Sequence, residues 1–251
     1  MKPKFLVLTG DGINCERETA KAFEKASASA QIMHINDLLE RPKFLGEFQG
    51  LAIPGGFSFG DELGSGQILA LKIRHGLDQE FLRFIDQKRP IIGICNGFQV
   101  LVKLGALPVP HKERTMSLAQ NSSGHFLNRW AQLNIDKASI CKWTQGIDLP
   151  SMELPVRHGE GRIVFTKGME ESIYLELKNK GQIPFTYEED INGSYKKIAG
   201  VCDESGLILG MMPHPEAFIS NATYKNKSDN VLENGMGLLL FENIVRYLRN
   251  N

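Results

Sequence analysis

The first hundred residues alternate short apolar runs with longer stretches in which apolar residues recur at helical spacing. The short runs predict four strands, and the amphipathic stretches predict four helices. The predicted strands are residues 4–8, 32–35, 51–53 and 91–94, and the predicted helices are residues 16–25, 67–74, 78–88 and 97–104. Strands that alternate with helices form parallel sheets covered on both faces. The pattern therefore predicts an α/β fold with a mostly parallel sheet flanked by helices.

The rest of the chain is less regular. Residues 111–155 give a mixed pattern with one candidate strand at 133–135, so we assign no architecture to them. Strands are predicted again at 198–201 and 207–212, and an amphipathic helix is predicted at 237–248. Neither an internal repeat nor a low-complexity linker interrupts the sequence. A length of 251 residues suits one large α/β domain, so we expect a single domain over residues 1–251.

The charge balance argues against a highly charged partner. Lysine plus arginine equals aspartate plus glutamate at 29 each, which disfavours nucleic acid, membranes and polyanionic substrates. The first predicted strand begins too close to Met1 to leave room for a signal peptide. No apolar run approaches the roughly 18 residues that span a bilayer. We therefore expect a cytoplasmic protein that acts on a small neutral or zwitterionic substrate.

The cysteines are far apart and lack the close paired spacings of zinc sites, so we expect free thiols and no bound metal. They are Cys15, Cys95, Cys141 and Cys202. Cys95 stands at the centre of Gly93-Ile94-Cys95-Asn96-Gly97, between a predicted strand and a predicted helix. This G-x-C-x-G pattern is typical of a nucleophile elbow, in which glycines relieve crowding at a sharp turn. The positive end of the following helix favours a thiolate there. The alternative, a buried apolar cysteine, is not excluded by the elbow alone.

A candidate base and its orienting acid lie in Met211-Met212-Pro213-His214-Pro215-Glu216. The flanking prolines favour an extended backbone at His214. Residues two apart in an extended segment face the same side, so His214 and Glu216 should project together. A base held in one tautomer by an acid activates a nucleophile. An incidental surface loop is the alternative, and it is less convincing beside the elbow because such sites lie beyond the carboxyl ends of strands.

A glycine-rich segment, residues 54–61, follows another predicted strand. Attack on an amide carbonyl creates an oxyanion, which backbone N–H groups stabilise by about 2.7 to 4 kcal/mol per donor. We predict Gly56 and Asn96 as these donors, because glycine allows an inward N–H and Asn96 follows the nucleophile. A phosphate loop is the alternative, but its G-x-x-x-x-G-K-[ST] pattern is absent from the sequence.

Two features near the amino terminus have simpler explanations. Gly10 and Gly12 are similar to the start of a dinucleotide-binding loop, but Cys15 stands where the third glycine belongs. We interpret the glycine pair as an ordinary turn. Cys15 itself lacks a glycine two residues away on either side, so no elbow exposes it as a second nucleophile.

Together these motifs resemble the class I glutamine amidotransferases, and within them the family of glutaminase subunits of phosphoribosylformylglycinamidine synthase. The elbow and the His-Pro-Glu segment are typical of the whole class. The narrower resemblance is carried by Asn14-Cys15, residues 55–61, Asn121-Ser122-Ser123 with Phe126, and His158-Gly159-Glu160-Gly161-Arg162. The resemblance covers nearly the whole chain, and it implies a flavodoxin-like α/β fold.

The resemblance also implies an activity. Cys95, His214 and Glu216 would hydrolyse glutamine to glutamate and ammonia through a thioester on the cysteine. The ammonia would convert formylglycinamide ribonucleotide to formylglycinamidine ribonucleotide in de novo purine biosynthesis. The residues implied to bind glutamine are Gly55, Gln99, Asn121, Ser122 and Phe126. For Gln99, an exposed helix position with no contact to substrate is the alternative.

The resemblance implies a partner but no cofactor in this chain. ATP and magnesium are expected on a formylglycinamidine ribonucleotide synthetase subunit, and a third small subunit is left open. His158, Glu160 and Arg162 form a predicted polar turn, which is a candidate for the partner interface; a solvated hairpin turn is the alternative. Two other functions stay open: a glutaminase for guanylate or anthranilate synthesis, and a non-catalytic glutamine-binding regulatory subunit. The complete set of catalytic residue types counts against the second.

Overall fold

A computed structural model of the chain describes residues 2–224 and 234–251. Its strands are β1 (Lys4–Thr9), β2 (Ser29–His34), β3 (Gly50–Ile53), β4 (Ile91–Ile94), β5 (Met116–Gln120), β6 (Leu127–Ile135), β7 (Ser151–His158), β8 (Glu160–Phe165), β9 (Phe185–Tyr187), β10 (Ile198–Cys202) and β11 (Ile208–Met211). Its α-helices are α1 (Glu16–Lys25), α2 (Ile35–Glu40), α3 (Gln67–Gly76), α4 (Asp78–Asp86), α5 (Asn96–Leu104), α6 (Glu170–Asn179) and α7 (Leu238–Asn250). Within these two ranges, no helix is long and apolar enough to cross a membrane.

One half of a nine-stranded sheet is parallel, in the order β2-β1-β3-β4-β11. Strands β3, β4 and β11 are buried along their whole length, which explains why their sequences are continuous apolar runs. The sheet continues through β10, β9, β6 and β7 with antiparallel pairing. Strands β5 and β8 form a separate antiparallel pair. The predicted α/β class, with a parallel sheet flanked by helices, is confirmed.

Aromatic side chains hold α1 and α7 against the sheet. Phe23 of α1 stacks on Phe5 of β1 with ring centroids 4.0 Å apart, and it meets Phe241 of α7 edge-on at 4.9 Å. All three rings are fully buried. Truncating a buried ring to alanine costs about 3 to 5 kcal/mol, because it removes apolar contact and leaves a cavity. This cluster is therefore a main anchor of that layer of helices.

Helix α5 approaches the sheet more closely than a side chain would allow. A Cβ on Gly97 would lie 1.8 Å from the carbonyl oxygen of Ile53, and a Cβ on Gly93 would lie 2.6 Å from the carbonyl oxygen of Gly97. Only glycine fits both places. The close packing brings the amino terminus of α5 to the carboxyl ends of β3 and β4.

The predicted elements of the parallel half agree with the structure to within a few residues. Helix α1 and strand β4 have the predicted bounds. The second strand differs, because Ile35 begins α2 instead of ending β2. The reason is a local cap: the Nδ1 of His34 accepts a hydrogen bond from the backbone N–H of Asn36 at 3.2 Å.

The chain between residues 111 and 165 contains four strands, β5 to β8. The sequence predicted a single strand in this region, at residues 133–135. Those three residues are the end of β6, which begins at Leu127. The prediction of a polar turn at residues 158–162 was wrong, because most of this segment belongs to two strands: β7 ends at His158 and β8 begins at Glu160. The chain passes there from the large sheet into the small one. Its glycines therefore mark a change of sheet and not a hairpin turn.

Candidate active site

Cys95 lies at a sharp turn between β4 and α5. Its backbone has φ 51° and ψ −105°, a left-handed conformation that costs energy in any residue other than glycine. The turn is held by a hydrogen bond from the Cys95 N–H to the carbonyl oxygen of Met211, at 2.8 Å. The elbow thus joins the ends of two neighbouring parallel strands, β4 and β11.

The Cys95 thiol is buried and has a specific neighbour. Its Sγ lies 3.6 Å from the backbone carbonyl oxygen of Arg157, at the end of β7. A carbonyl oxygen accepts a hydrogen bond from a thiol and gives none to a thiolate. Arg157 was absent from the sequence prediction, because a backbone carbonyl carries no residue-type signal.

His214 and Glu216 follow β11 and meet in the interior. The Nδ1 of His214 lies 2.6 Å from the Oε1 of Glu216, and the side chains are 3% and 1% exposed. The backbone N–H of His214 donates to the carbonyl oxygen of Pro155 at 2.8 Å, which fixes the segment against β7. The structure therefore brings together the two side chains that the His-x-Glu spacing predicts to face the same side.

The electrostatic setting of His214 favours its charged form. Burial, the largest single influence, lowers the pKa of His214, but Glu216, Cys95 and Cys15 together outweigh it. The net result is a pKa well above the ordinary value. The Nε2 of His214 is buried and has no well-aligned hydrogen-bond partner among residues 2–224 and 234–251. It is thus open to a proton donor or acceptor on a substrate.

The loop after β3 lies beside these residues. Gly56 has φ 144°, and a Cβ there would lie 2.7 Å from the carbonyl oxygen of Gly12. The loop is tied down by the Phe57 N–H, which donates to the Gly12 carbonyl oxygen at 2.8 Å. In the part of the chain that the structure describes, the backbone N–H groups of Gly56 and Asn96 donate to no protein acceptor. Both predicted oxyanion donors are therefore free.

The Asn96 side chain links that loop to helix α5. Its Oδ1 accepts from the backbone N–H of Ser58 at 3.3 Å, and its Nδ2 donates to Asp61 at 3.1 Å and to the Oε1 of Gln99 at 2.9 Å. Gln99 is buried, and its Nε2 donates to the carbonyl oxygen of Glu160. Gln99 is therefore not the exposed helix residue of the alternative. Its polar atoms already bind protein, so it braces the wall of the site.

The other predicted glutamine contacts occupy three different settings. Gly55 faces the base, since a Cβ there would lie 2.7 Å from the Cε1 of His214. Asn121 is buried, and its Nδ2 donates to the carbonyl oxygens of His125 and His158 at 2.9 and 2.8 Å. Ser122 is exposed. Phe126 is 53% exposed and stacks on Phe57, with ring centroids 6.3 Å apart.

The predicted interface residues are not all at the surface. His158 is 3% exposed, so its prediction as a docking residue was wrong: its Nδ1 faces the Oδ1 of Asn121 at 3.0 Å. Burial and the charge of His214 lower the pKa of His158 to about 4. Glu160 accepts from the hydroxyl of Ser65 at 2.7 Å, and the Nε of Arg162 donates to the carbonyl oxygen of Gln120 at 2.9 Å. Both are half-buried and stay candidates for the interface.

Cys15, to which we assigned no catalytic role from the sequence, lies against the catalytic pair. Its Sγ, a ring nitrogen of His214 and a carboxylate oxygen of Glu216 all lie within 4.8 Å of one another. A cavity of about 490 Å³ opens beside them and is also lined by Glu18, Trp130 and Arg157. One feature of the sequence could have indicated this proximity. Cys15 follows the carboxyl end of β1, which lies next to β3 in the sheet.

Comparison with known proteins places these residues in a family. Residues 2–248 match the CobB/CobQ-like glutamine amidotransferase domain. The chain is 42% identical to the phosphoribosylformylglycinamidine synthase subunit PurQ of Dehalococcoides mccartyi, over 99% of this chain and 98% of the relative. It is 40% identical to the subunit of the same name from Methanococcus maripaludis, over 98% of this chain and 97% of the relative.

A solved structure agrees with these relatives. One chain of the structure of PurLQS from Thermotoga maritima superposes with a TM-score of 0.77 at 29% identity, covering 99% of this chain and 100% of that one. With a match to the domain along almost its full length and relatives at about 40% identity, this chain belongs to the glutamine amidotransferase family and, within it, to the PurQ subunits of phosphoribosylformylglycinamidine synthase.

Proposed function

We propose that this chain hydrolyses glutamine at Cys95 and supplies the ammonia to a synthetase partner. The observation that carries the proposal is the meeting of the elbow cysteine with the buried pair of His214 and Glu216. Cys95 follows β4 and the pair follows β11, which are adjacent parallel strands. Their carboxyl ends therefore hold nucleophile and base at one edge of the sheet, where α/β enzymes bind their substrates.

The reaction begins with attack of the Cys95 thiolate on the side-chain amide carbon of glutamine. A carbon–sulfur bond forms as the carbonyl electrons move onto oxygen, and the N–H groups of Gly56 and Asn96 donate to that oxyanion. The His214 imidazolium gives its proton to the amide nitrogen, which leaves as ammonia when the carbon–nitrogen bond breaks. The products of this half are a thioester and a neutral imidazole.

Hydrolysis of the thioester reverses the proton transfer. Neutral His214 takes a proton from water while the water oxygen attacks the carbonyl carbon. The carbon–sulfur bond then breaks, which restores the thiolate and the imidazolium and releases the side-chain carboxylic acid, which loses its proton to solvent as glutamate. Glu216 accepts the hydrogen bond from Nδ1 throughout, so that Nε2 always faces the reacting atoms.

The acceptor of the ammonia is proposed from the relatives. Both are named as subunits of phosphoribosylformylglycinamidine synthase and match nearly the whole chain, which supports formylglycinamide ribonucleotide over the acceptors of guanylate or anthranilate synthesis. We propose a synthetase subunit as partner, with ATP and magnesium bound there, and a third small subunit as a further component. The extent of the family match supports one domain over residues 1–251. We place the reaction in the cytoplasm.

The partner's docking surface is proposed beside the oxyanion loop. Phe57, Leu63 and Phe126 are large apolar side chains that are 50%, 69% and 53% exposed. Phe57 directly follows Gly56 and stacks on Phe126, so a protein that covers this patch contacts the loop carrying one oxyanion donor. Leu63 belongs to the same segment between β3 and α3 as Phe57, and exposed apolar side chains on one such segment mark an interaction site. Covering them also excludes water from the site, which keeps ammonia from protonation in bulk solvent.

The test compares glutamate release by wild type and Cys95→Ala, each alone and with the synthetase subunit, ATP, magnesium and formylglycinamide ribonucleotide. We expect low activity of the wild type alone, strong stimulation in the complete mixture, and none in the Cys95 variant. Ammonium chloride is the control, because it should restore formylglycinamidine ribonucleotide formation to the mixture with Cys95→Ala. Glutamine turnover by that variant, or stimulation only by the partner of another pathway, would overturn the proposal.

A further inference from the structure

Three metal-ligating side chains converge behind the catalytic base. Cys15 Sγ, a ring nitrogen of His214 and a carboxylate oxygen of Glu216 lie within 4.8 Å of one another. Thiolate, imidazole and carboxylate are the three ligand types that zinc takes in proteins. With zinc–ligand bonds of about 2.0 to 2.3 Å, ligand atoms in a tetrahedral site lie roughly 3.3 to 3.6 Å apart. To reach this spacing, the Nδ1 of His214 and the Oε1 of Glu216, now 2.6 Å apart, would separate, and the Cys15 Sγ would approach them.

Two atoms of this cluster lack partners. The Oε2 of Glu216 and the Nε2 of His214 are both buried and accept or donate no well-aligned hydrogen bond to any of the described residues. Glu216 is 2% exposed and His214 is 3% exposed. A buried polar atom without a partner costs about 1 to 3 kcal/mol, so a ligand that satisfies it gains that energy back. The Oε2 of Glu216 therefore favours occupation of the cluster, whereas the Nε2 of His214 is accounted for by the reacting atoms that it faces.

The cluster is reached through the cavity of about 490 Å³ that Cys15, Glu18 and Glu216 line together. Cys95 is not among the residues that line this cavity. Glu18 contributes a second carboxylate to this lining, beside that of Glu216. The lining thus brings two carboxylates to the entrance, alongside the side chains of Arg129 and Arg157.

We propose that Cys15, His214 and Glu216 form an inhibitory site for a soft divalent cation, of which zinc is the best fit. Binding displaces the thiol proton of Cys15 and the ring proton of the coordinating His214 nitrogen. It engages the base and its orienting acid at once, so glutamine hydrolysis stops. The inhibitory effect rests on the proposed function, whereas cation binding does not. Cys15 joins the site only through the fold, since it lies 199 positions from His214 in the numbering.

The experiment titrates metal-depleted protein with cobalt, which reports a bound thiolate through a charge-transfer absorption band in the near ultraviolet. Wild type, Cys95→Ala and Cys15→Ala are compared. We expect one equivalent of cobalt to give the band in wild type and in Cys95→Ala, and zinc to abolish it by competition. Cys15→Ala should lose the band. A band that survives in Cys15→Ala, or one that is lost with Cys95, would overturn the site.

Inhibition by zinc is then measured with wild type and Cys15→Ala, the two proteins that retain Cys95. Glutaminase rate is followed at buffered free zinc, and each variant is normalised to its own rate without metal. We expect the zinc concentration for half inhibition to rise at least about tenfold in Cys15→Ala. Equal inhibition of both proteins would contradict the proposal. Cobalt binding without any glutaminase activity would instead leave the site standing and refute the proposed function, so the two failures are distinguishable.

Discussion

The Nδ1 of His214 lies 2.6 Å from the Oε1 of Glu216 in the buried interior, while the opposite ring nitrogen has no well-aligned partner among the described residues. The carboxylate therefore fixes which nitrogen faces the nucleophile. Removing the base should cost more than removing the acid that orients it, because an unoriented imidazole can still transfer a proton.

We predict that His214→Ala lowers kcat by about 10⁴-fold or more. The factor by which Glu216→Ala lowers kcat should be about ten times smaller. The measurement is steady-state glutamate release in the complex with the synthetase partner. The double variant serves as the control, since two residues that act as one unit should lose little more together than His214→Ala alone. A larger loss for Glu216→Ala than for His214→Ala would contradict the assigned roles.

Gly55 gives a steric test of the same geometry. A Cβ at this position would lie 2.7 Å from the Cε1 of His214 and 3.5 Å from the Sγ of Cys15. We predict that Gly55→Ala displaces the imidazole and lowers kcat by about 100-fold. Gly46→Ala is the matched control, because a Cβ there meets nothing within 4 Å. Wild-type kcat in Gly55→Ala would show that the base does not sit where the structure has it.

The buried histidine near the site should make stability depend on pH. The pKa of His158 is lowered to about 4 from 6.5 by burial and by His214. Between these two pH values His158 is protonated in the unfolded chain but not in the folded chain. The free energy of unfolding therefore falls as the pH drops from about 6.5 towards 4. The full effect is on the order of 3 kcal/mol.

Chemical unfolding at several pH values checks this prediction, with His158→Asn as the comparison. Asparagine cannot take up a proton, so the variant should show a flatter decline over this range even if it is less stable at neutral pH. Parallel curves for the two proteins would mean that His158 does not titrate as inferred.

The proposed docking patch is tested by its most exposed member. Leu63 is 69% exposed and is not one of the residues to which we assign a role in catalysis. We predict that Leu63→Ser leaves the basal glutaminase rate unchanged and reduces stimulation by the synthetase partner, through weaker binding. Leu175→Ser is the control, since Leu175 is also an exposed leucine, at 45%, but lies on helix α6. Equal loss of stimulation in both variants would count against a specific patch.

The sequence was sufficient for the parallel half of the fold and for the elements that carry the site. Residues 91–94 form a continuous apolar run and Gly93 and Gly97 flank Cys95, so both the strand and the turn after it leave a local signal. The spacing of His214 and Glu216 is equally local. Each of these features is decided by backbone geometry within a few residues.

The remainder depends on contacts between distant segments. Strand β6 has exposed residues at its start and pairs with β7 and β9, so its pattern resembles neither a core strand nor a helix. His158 is polar and flanked by glycine, which suggested a surface turn, yet Asn121 holds it in the interior. The proximity of Cys15 to His214 likewise follows only from the order of strands in the sheet.

The central claim, that Cys95 is the nucleophile, is tested most directly by covalent labelling. Wild type, Cys95→Ala and Cys15→Ala are incubated with a glutamine analogue that carries an alkylating group in place of the amide, and the modified peptide is mapped by mass spectrometry. We predict one label on Cys95 in wild type and in Cys15→Ala, with glutaminase activity lost in proportion to labelling, and no label in Cys95→Ala. Labelling of Cys15 in the active protein, or glutamine hydrolysis that persists in Cys95→Ala, would contradict the account.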